Sequence, residues 1–176
     1  MVAGLILCSI SASFAEGPVE VYGEMKVKGQ YFVGSKDKYQ NAIVQVKGLS
    51  FFWNNWGGDA YWNEGEVNNM IDNYGAEMLR VPVTTSSNGK YADLSAARAV
   101  IDQCIKRGIY IIIDYHSHQA WNEVDEAKNF FKQAVEWYGD KDNMIFEIFN
   151  EPDTHEPHEW AGVKQYADQL VAHIRG

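Results

Sequence analysis

Cysteine is scarce in this chain. There are two, Cys8 and Cys104, which excludes a disulfide-built scaffold. Positive charge is short as well: 15 Lys and Arg stand against 24 Asp and Glu, for a formal net charge of −9. That balance argues against nucleic acid or an anionic membrane as a partner. No apolar run reaches the roughly 20 residues a membrane-spanning helix needs. There is no Asn-x-Ser/Thr sequon, no low-complexity tract and no block of like charge. No Gly-x-Gly-x-x-Gly and no P-loop follows any apolar stretch, which weakens a nucleotide-binding reading.

What is present suits one ordinary globular domain. The 176 residues are 46% hydrophobic and 22% charged, enough for a real core. Aromatic residues make up 14%, including 6 Trp and 10 Tyr. Such rings pack against flat sugar faces and equally well in cores. Residues 1–15 stand apart: they carry no charge, and residues 2–10 are mostly apolar. Ser13-Phe14-Ala15 puts small residues at the two positions a signal peptidase reads. A secretory signal peptide over residues 1–15, cut after Ala15, is therefore expected, although the usual basic start is missing. The protein would then be secreted and extracellular. Cys8 would leave with the signal, and Cys104, on an amphipathic stretch, is expected in the core.

Residues 16–24 read as a linker. Residues 25–33 and 39–44 read as two strands of a hairpin about the loop 34–38. From there strand and helix alternate. Strands are expected at 45–51, 78–83 (closed by Pro82), 109–115 and 144–150. Helices are expected at 65–74 with Gly75 as stop, 94–107 capped by Asp93, 121–138, and 160–174. The third helix should turn Ala127, Phe130, Phe131, Ala134 and Val135 inward. Four strand–helix units in a row make an α/β fold with a parallel sheet. An open doubly wound sheet and a (β/α)8 barrel both satisfy that pattern; a barrel needs roughly 250 residues.

The stretch 144–152 organises the rest. Its apolar run ends in Asn150-Glu151-Pro152, so an amide and a carboxylic acid sit at the carboxyl end of a strand, where parallel α/β folds build their sites. The other strand ends add Phe51, Phe52, Trp53 and Trp56, then Arg80, then Asp114, His116 and His118. Alternation puts Asp114 and His116 on one face, and Glu147 with Glu151 on another. A polar cluster walled by aromatics suits a reaction that protonates a leaving oxygen. Glu151 can be that acid, Asn150 can hold a substrate hydroxyl, and Arg80 can fix a carboxylate through two parallel hydrogen bonds. His116 can bind a hydroxyl or join the Arg80 network. Each residue also has a structural reading. Arg80 reads equally as an ion pair with Asp114 or Glu147, and His116 as a satisfied core histidine. His118 reads as a loop residue, and Glu147 as a polar member of an interior layer.

Ile-Phe-Asn-Glu-Pro at 148–152, Leu-Arg-Val-Pro-Val at 79–83 and Ile-Ile-Asp-Tyr-His-Ser-His at 112–118 together resemble glycoside hydrolase family 5. The likeness is to its secreted endo-β-1,4-glucanases, or cellulases. Lys47-Gly48-Leu49-Ser50-Phe51-Phe52-Trp53 is similar to the first strand of that group. The resemblance implies a (β/α)8 TIM barrel. About four of its β/α units are present here, preceded by an N-terminal β-hairpin, in a partial barrel domain over residues 25–176. It implies β-1,4-glucan cleavage with retention by two glutamates. Glu151 would be the proton donor and acceptor, with Asn150, His116, Arg80 and Trp56 binding substrate. The nucleophile, on strand seven in the family, would be absent from this chain. The implied partner is a β-glucan or cellulose oligosaccharide, with no cofactor and no metal. Two other classes compete. One is a carbohydrate-binding protein without catalysis. The other is a metal-dependent hydrolase using His116, His118, His155 and His158. Within the family, a mannanase or another β-glucanase is the alternative.

Overall fold

The computed structural model describes residues 16–84, 92–152 and 159–176. The expected signal peptide lies outside them. The described chain begins with a one-turn helix, α1 (Pro18–Tyr22), inside the stretch that reads as a linker. It is tied to the body of the protein: Val19 N–H donates to Gly108 O at 3.1 Å, and the Tyr110 hydroxyl donates to Gly23 O at 2.5 Å.

A hairpin follows, β1 (Met25–Lys28) and β2 (Tyr31–Gly34). The expected boundaries are wrong here. The turn is at Gly29-Gln30, since Lys28 pairs with Tyr31 and Met25 with Gly34. Gly29 has φ 62, and a two-residue hairpin turn needs such a positive value. The expected second strand is instead a 3₁₀ turn at Asp37–Tyr39 and a single bridge from Ile43 to Val33. Met25 and Phe32 line a cavity of about 230 Å³ with Val44, Met78 and Ile145, so the hairpin lies across the amino ends of the main strands.

The main sheet has four parallel strands in sequence order: β3 (Gly48–Ser50), β4 (Met78–Thr84), β5 (Tyr110–His116) and β6 (Met144–Glu147). The helices between and after them are α2 (Glu64–Tyr74), α3 (Arg98–Lys106), α4 (Val124–Tyr138) and α5 (Glu159–Arg175). These are four consecutive β/α units of the barrel type. Local signals set their ends. The Asn63 side chain accepts from Glu66 N–H at 3.1 Å to start α2. Asp93 caps the 3₁₀ turn Leu94–Ala97 that leads into α3. Among the described residues the outer edges of β3 and β6 have no strand partner.

Strand alternation divides the chain's chemistry between two faces. Leu79, Val81 and Val83 share one face with Ile111, Ile113 and Tyr115, all fully buried beneath the helices. Arg80, Pro82 and Thr84 share the other with Ile112, Asp114 and His116. Glu147 lies beside Asp114 in register. On α4, Ala127, Phe130, Phe131 and Ala134 are buried as expected, and Tyr138 completes the stripe. Val135 is exposed, because it falls one position beyond that stripe.

Two strand ends differ from expectation. Pro82 does not close β4, which runs on to Thr84. Arg80 O accepts from Phe51 N–H, so Pro82, two residues on, points its missing donor to the same side. There β3 has already stopped at Ser50, and no ladder bond is lost. β6 stops at Glu147, three residues before the expected end. The Ile148 carbonyl leaves the ladder and accepts from the Tyr166 hydroxyl at 2.6 Å. Phe149 packs between Trp121 and Tyr166.

Cys104 is fully buried on α3, and burial pushes its thiol up to about 12. The thiolate is the reactive form. Cys104 is therefore expected to resist a thiol reagent at about pH 8 while the protein is folded and to react once guanidinium unfolds it. Labelling of the native protein at the unfolded rate would contradict this packing.

Candidate active site

The site is built where β4, β5 and β6 end. Its centre is the Arg80 guanidinium, which only donates hydrogen bonds. Nε donates to Glu147 Oε2 at 2.7 Å, and Nη2 to Glu147 Oε1 at 2.8 Å. The same Nη2 donates to Asp114 Oδ2 at 2.6 Å and to Asn150 Oδ1 at 2.9 Å. Both readings of Arg80 as an ion pair, with Asp114 and with Glu147, hold at once. The Glu147 hydrogen bond holds the guanidinium above its ordinary pKa, against desolvation.

Asp114 is completely buried. Its Oδ2 also meets His116 Nδ1 at 2.6 Å, so the shared face expected from alternation is realised. Burial pushes the Asp114 carboxyl above the ordinary carboxylate range, while the His116 hydrogen bond and the Arg80 charge pull it back. Alternation alone puts Asp114 beside His116. It does not say that Asp114 joins His116 to Arg80; that requires the register of β4 against β5.

Three buried side-chain atoms in this cluster have no hydrogen-bond partner among the described residues: Asn150 Nδ2, His116 Nε2 and Asp114 Oδ1. Native interiors rarely leave such atoms unpaired. Asn150 and His116 are 4% and 5% exposed, so these are interior polar groups left without a partner among the described residues.

Glu151 follows Asn150 and is exposed on its side chain. Its φ of 44 makes it the one described non-glycine residue in the left-handed region, which costs on the order of 1–2 kcal/mol. This kink turns the chain at the end of the strand–loop passage, so β-alternation does not place Glu151 with Glu147. His118 Nδ1 lies 3.8 Å from Glu151 Oε2, too far for a hydrogen bond, and both groups are solvated.

The aromatic wall comes from the segment after β3. The Trp53 ring lies 4.7 Å from the His116 ring and 6.3 Å from that of His118. Trp56 stands edge-on to Trp53 at 6.5 Å and is 71% exposed. The segment is pinned to β4, since Asn54 Oδ1 accepts from Thr84 N–H at 2.9 Å and from the Thr84 hydroxyl at 2.6 Å. Trp62 Nε1 donates to Phe52 O at 3.0 Å. Gly58 is required by crowding: a Cβ there would sit 2.3 Å from Phe52 O. Four of the expected site residues, Arg80, His116, Asn150 and Glu151, thus meet at one edge, and Trp56 flanks them through Trp53. His155 and His158 lie outside the described residues.

A parallel β/α arc with its polar cluster at the carboxyl ends of its strands defines a β/α-barrel protein with its site at the usual edge. Residues 36–176 match the family model described as Cellulase (glycosyl hydrolase family 5). The chain belongs to that family. It is 32% identical over 136 residues to Endoglucanase Z of Dickeya dadantii, covering 73% of this chain and 31% of that protein. It is 34% identical over 138 residues to Endoglucanase A of Evansella cellulosilytica, covering 75% of this chain and 28% of that one. Among solved structures, the catalytic domain of Thermobifida fusca endoglucanase Cel5A (E5) superposes with a TM-score of 0.77 at 25% identity, covering 90% of this chain and 52% of that one. A variant of that domain has been solved in complex with cellotetraose. The chain thus spans about a third of these curated relatives and half of the solved catalytic domain.

Proposed function

We propose that this chain carries the acid/base half of a retaining endo-β-1,4-glucanase site, in a secreted protein whose residues 1–15 are the signal. Glu151 is the acid/base. Asn150 donates to the sugar 2-hydroxyl, His116 binds a second hydroxyl, and Trp56 is a stacking platform. Arg80, which the resemblance puts among the substrate-binding residues, acts in this reading through Asn150, which it positions, and neutralises Glu147 and Asp114. The observation that carries this reading is the orientation of the Asn150 amide. Arg80 can only donate, so Asn150 Oδ1 must face it. Nδ2 is left as a buried donor with no partner among the described residues, one residue from a solvated carboxylic acid. Family membership and the endoglucanase relatives support a β-1,4-glucan as the substrate.

Retention needs a second carboxylate roughly 5–5.5 Å from the first. Glu147 is held by Arg80 through two hydrogen bonds and Asp114 is fully buried, so neither is free for the role. We assign the nucleophile to a part of the barrel outside these four units.

Titration of the 176-residue chain with cellotetraose tests the reading. Binding is expected, and Asn150→Ala and His116→Ala should each weaken it about tenfold, the value of one good hydrogen bond. No measurable binding by the folded chain would sink the proposal. Tighter binding of mannohexaose than of cellotetraose would move the substrate to mannan.

A further inference from the structure

Two of the unpartnered atoms, Asn150 Nδ2 and His116 Nε2, have a chemical polarity, and one guanidinium nitrogen sets both. Arg80 Nη2 donates to Asn150 Oδ1 at 2.9 Å and to Asp114 Oδ2 at 2.6 Å. The first contact turns the Asn150 amide so that its NH₂ faces away as a donor. The second marks Asp114 Oδ2 as an acceptor. The same oxygen meets His116 Nδ1 at 2.6 Å. An oxygen already accepting from arginine calls for a donor from histidine, which puts the imidazole proton on Nδ1 and leaves Nε2 with a lone pair.

We propose that Asp114 is a positioning residue that fixes His116 in the Nδ1–H form, so that the site presents a matched buried pair, the Nε2 acceptor of His116 and the Nδ2 donor of Asn150, to the hydroxyls of one bound sugar ring. The sugar part of this inference rests on the function proposed above; the tautomer part does not. The pair reads a diol by polarity. A hydroxyl can donate to Nε2 while its neighbour accepts from Nδ2, whereas two acceptors or two donors could not share those contacts. Trp53, packed 4.7 Å from the His116 ring, limits ring rotation, so the choice of tautomer is the freedom that remains. The competing arrangement has a protonated Asp114 donating to Nδ1 and a proton on Nε2. It presents two donors and forfeits the acceptor.

Long-range ¹H–¹⁵N spectra of histidine-labelled protein at about pH 8, above the ordinary imidazole pKa, decide between them. His116 is expected as the neutral Nδ1–H form. Asp114→Ala removes the acceptor and should move the proton to Nε2, with cellotetraose affinity falling about tenfold. Asp114→Asn should keep both near wild type, because its carbonyl oxygen must still face Arg80. An Nε2–H or doubly protonated His116 in the wild type would overturn the proposal, even if Asp114→Ala failed to fold. So would Asp114→Ala with an unmoved proton, or with a moved proton and unchanged affinity. Wild-type protein that shows the Nδ1–H form yet binds no cellotetraose would refute the carbohydrate function and confirm the tautomer.

Discussion

Arg80→Met is expected to lower the stability of the folded chain by about 3 kcal/mol, the low end of what breaking a buried ion pair costs. The low end applies because the Arg80 side chain is 23% exposed and that of Glu147 31%. The cost does not come from lost packing, since methionine fills much of the same space. It comes from Asp114, which is fully buried and would be left with His116 as its single partner among the described residues. Glu147 and the Asn150 amide would lose their donor as well. For a domain of this size the melting temperature should fall roughly 6–12 °C. Adding Asn at 114 should recover part of the loss, because the double variant no longer buries an unpaired carboxylate. Arg80→Lys should not rescue: an ammonium with three donors cannot hold the four oxygens of Glu147, Asp114 and Asn150 in the guanidinium's plane. Chemical denaturation of the three variants checks the ranking, and an Arg80→Met protein within about 1 kcal/mol of wild type would show the network to be marginal.

The second large effect concerns catalysis. The 176 residues alone are expected to bind cellotetraose and leave it intact. Two carboxylates share retaining hydrolysis, and among the described strand-end residues Glu151 is the one carboxylate that is solvated and not committed to Arg80. In this chain Glu151→Gln should leave cellotetraose affinity within about twofold, since a neutral amide keeps the side chain's shape and its left-handed backbone. Joined to the remaining strands of a family 5 barrel, the same substitution should cost about 10²–10⁴ in kcat, the usual worth of a positioned acid. Product analysis by chromatography settles the first part. Turnover by the purified 176-residue chain that disappears in Glu151→Gln would place the second carboxylate within it. Binding without turnover in the joined barrel, unaffected by Glu151→Gln, would favour a carbohydrate-binding protein.

Much of this arrangement is legible in local pattern. Gly75 closes α2, and Asp93 and Gly108 bracket the α3 region, because caps act over one helical turn. The apolar runs at 78–83 and 109–115 are strands within a residue of their expected bounds. The errors occur where a distant group takes over. Tyr166 removes the Ile148 carbonyl from the ladder and shortens β6. The early stop of β3 allows Pro82 to sit inside β4. Gly29 was a sufficient signal for the true hairpin turn, and the longer polar loop at 34–38 competed with it.

The sequence by itself determined the order of four β/α units, the family, and the residues that gather at the strand ends. Hydrophobic periodicity and short motifs are properties of neighbours along the chain, so they survive without a fold. The tertiary structure alone decided which polar atoms face one another. Strand register put Asp114 Oδ2 between Arg80 and His116, and the kink at Glu151 separated it from Glu147. Those outcomes depend on contacts between residues as far apart as Arg80 and Asn150. A hydrogen bond forms or fails within a few tenths of an ångström, a margin that no reading of residue types along a chain can supply.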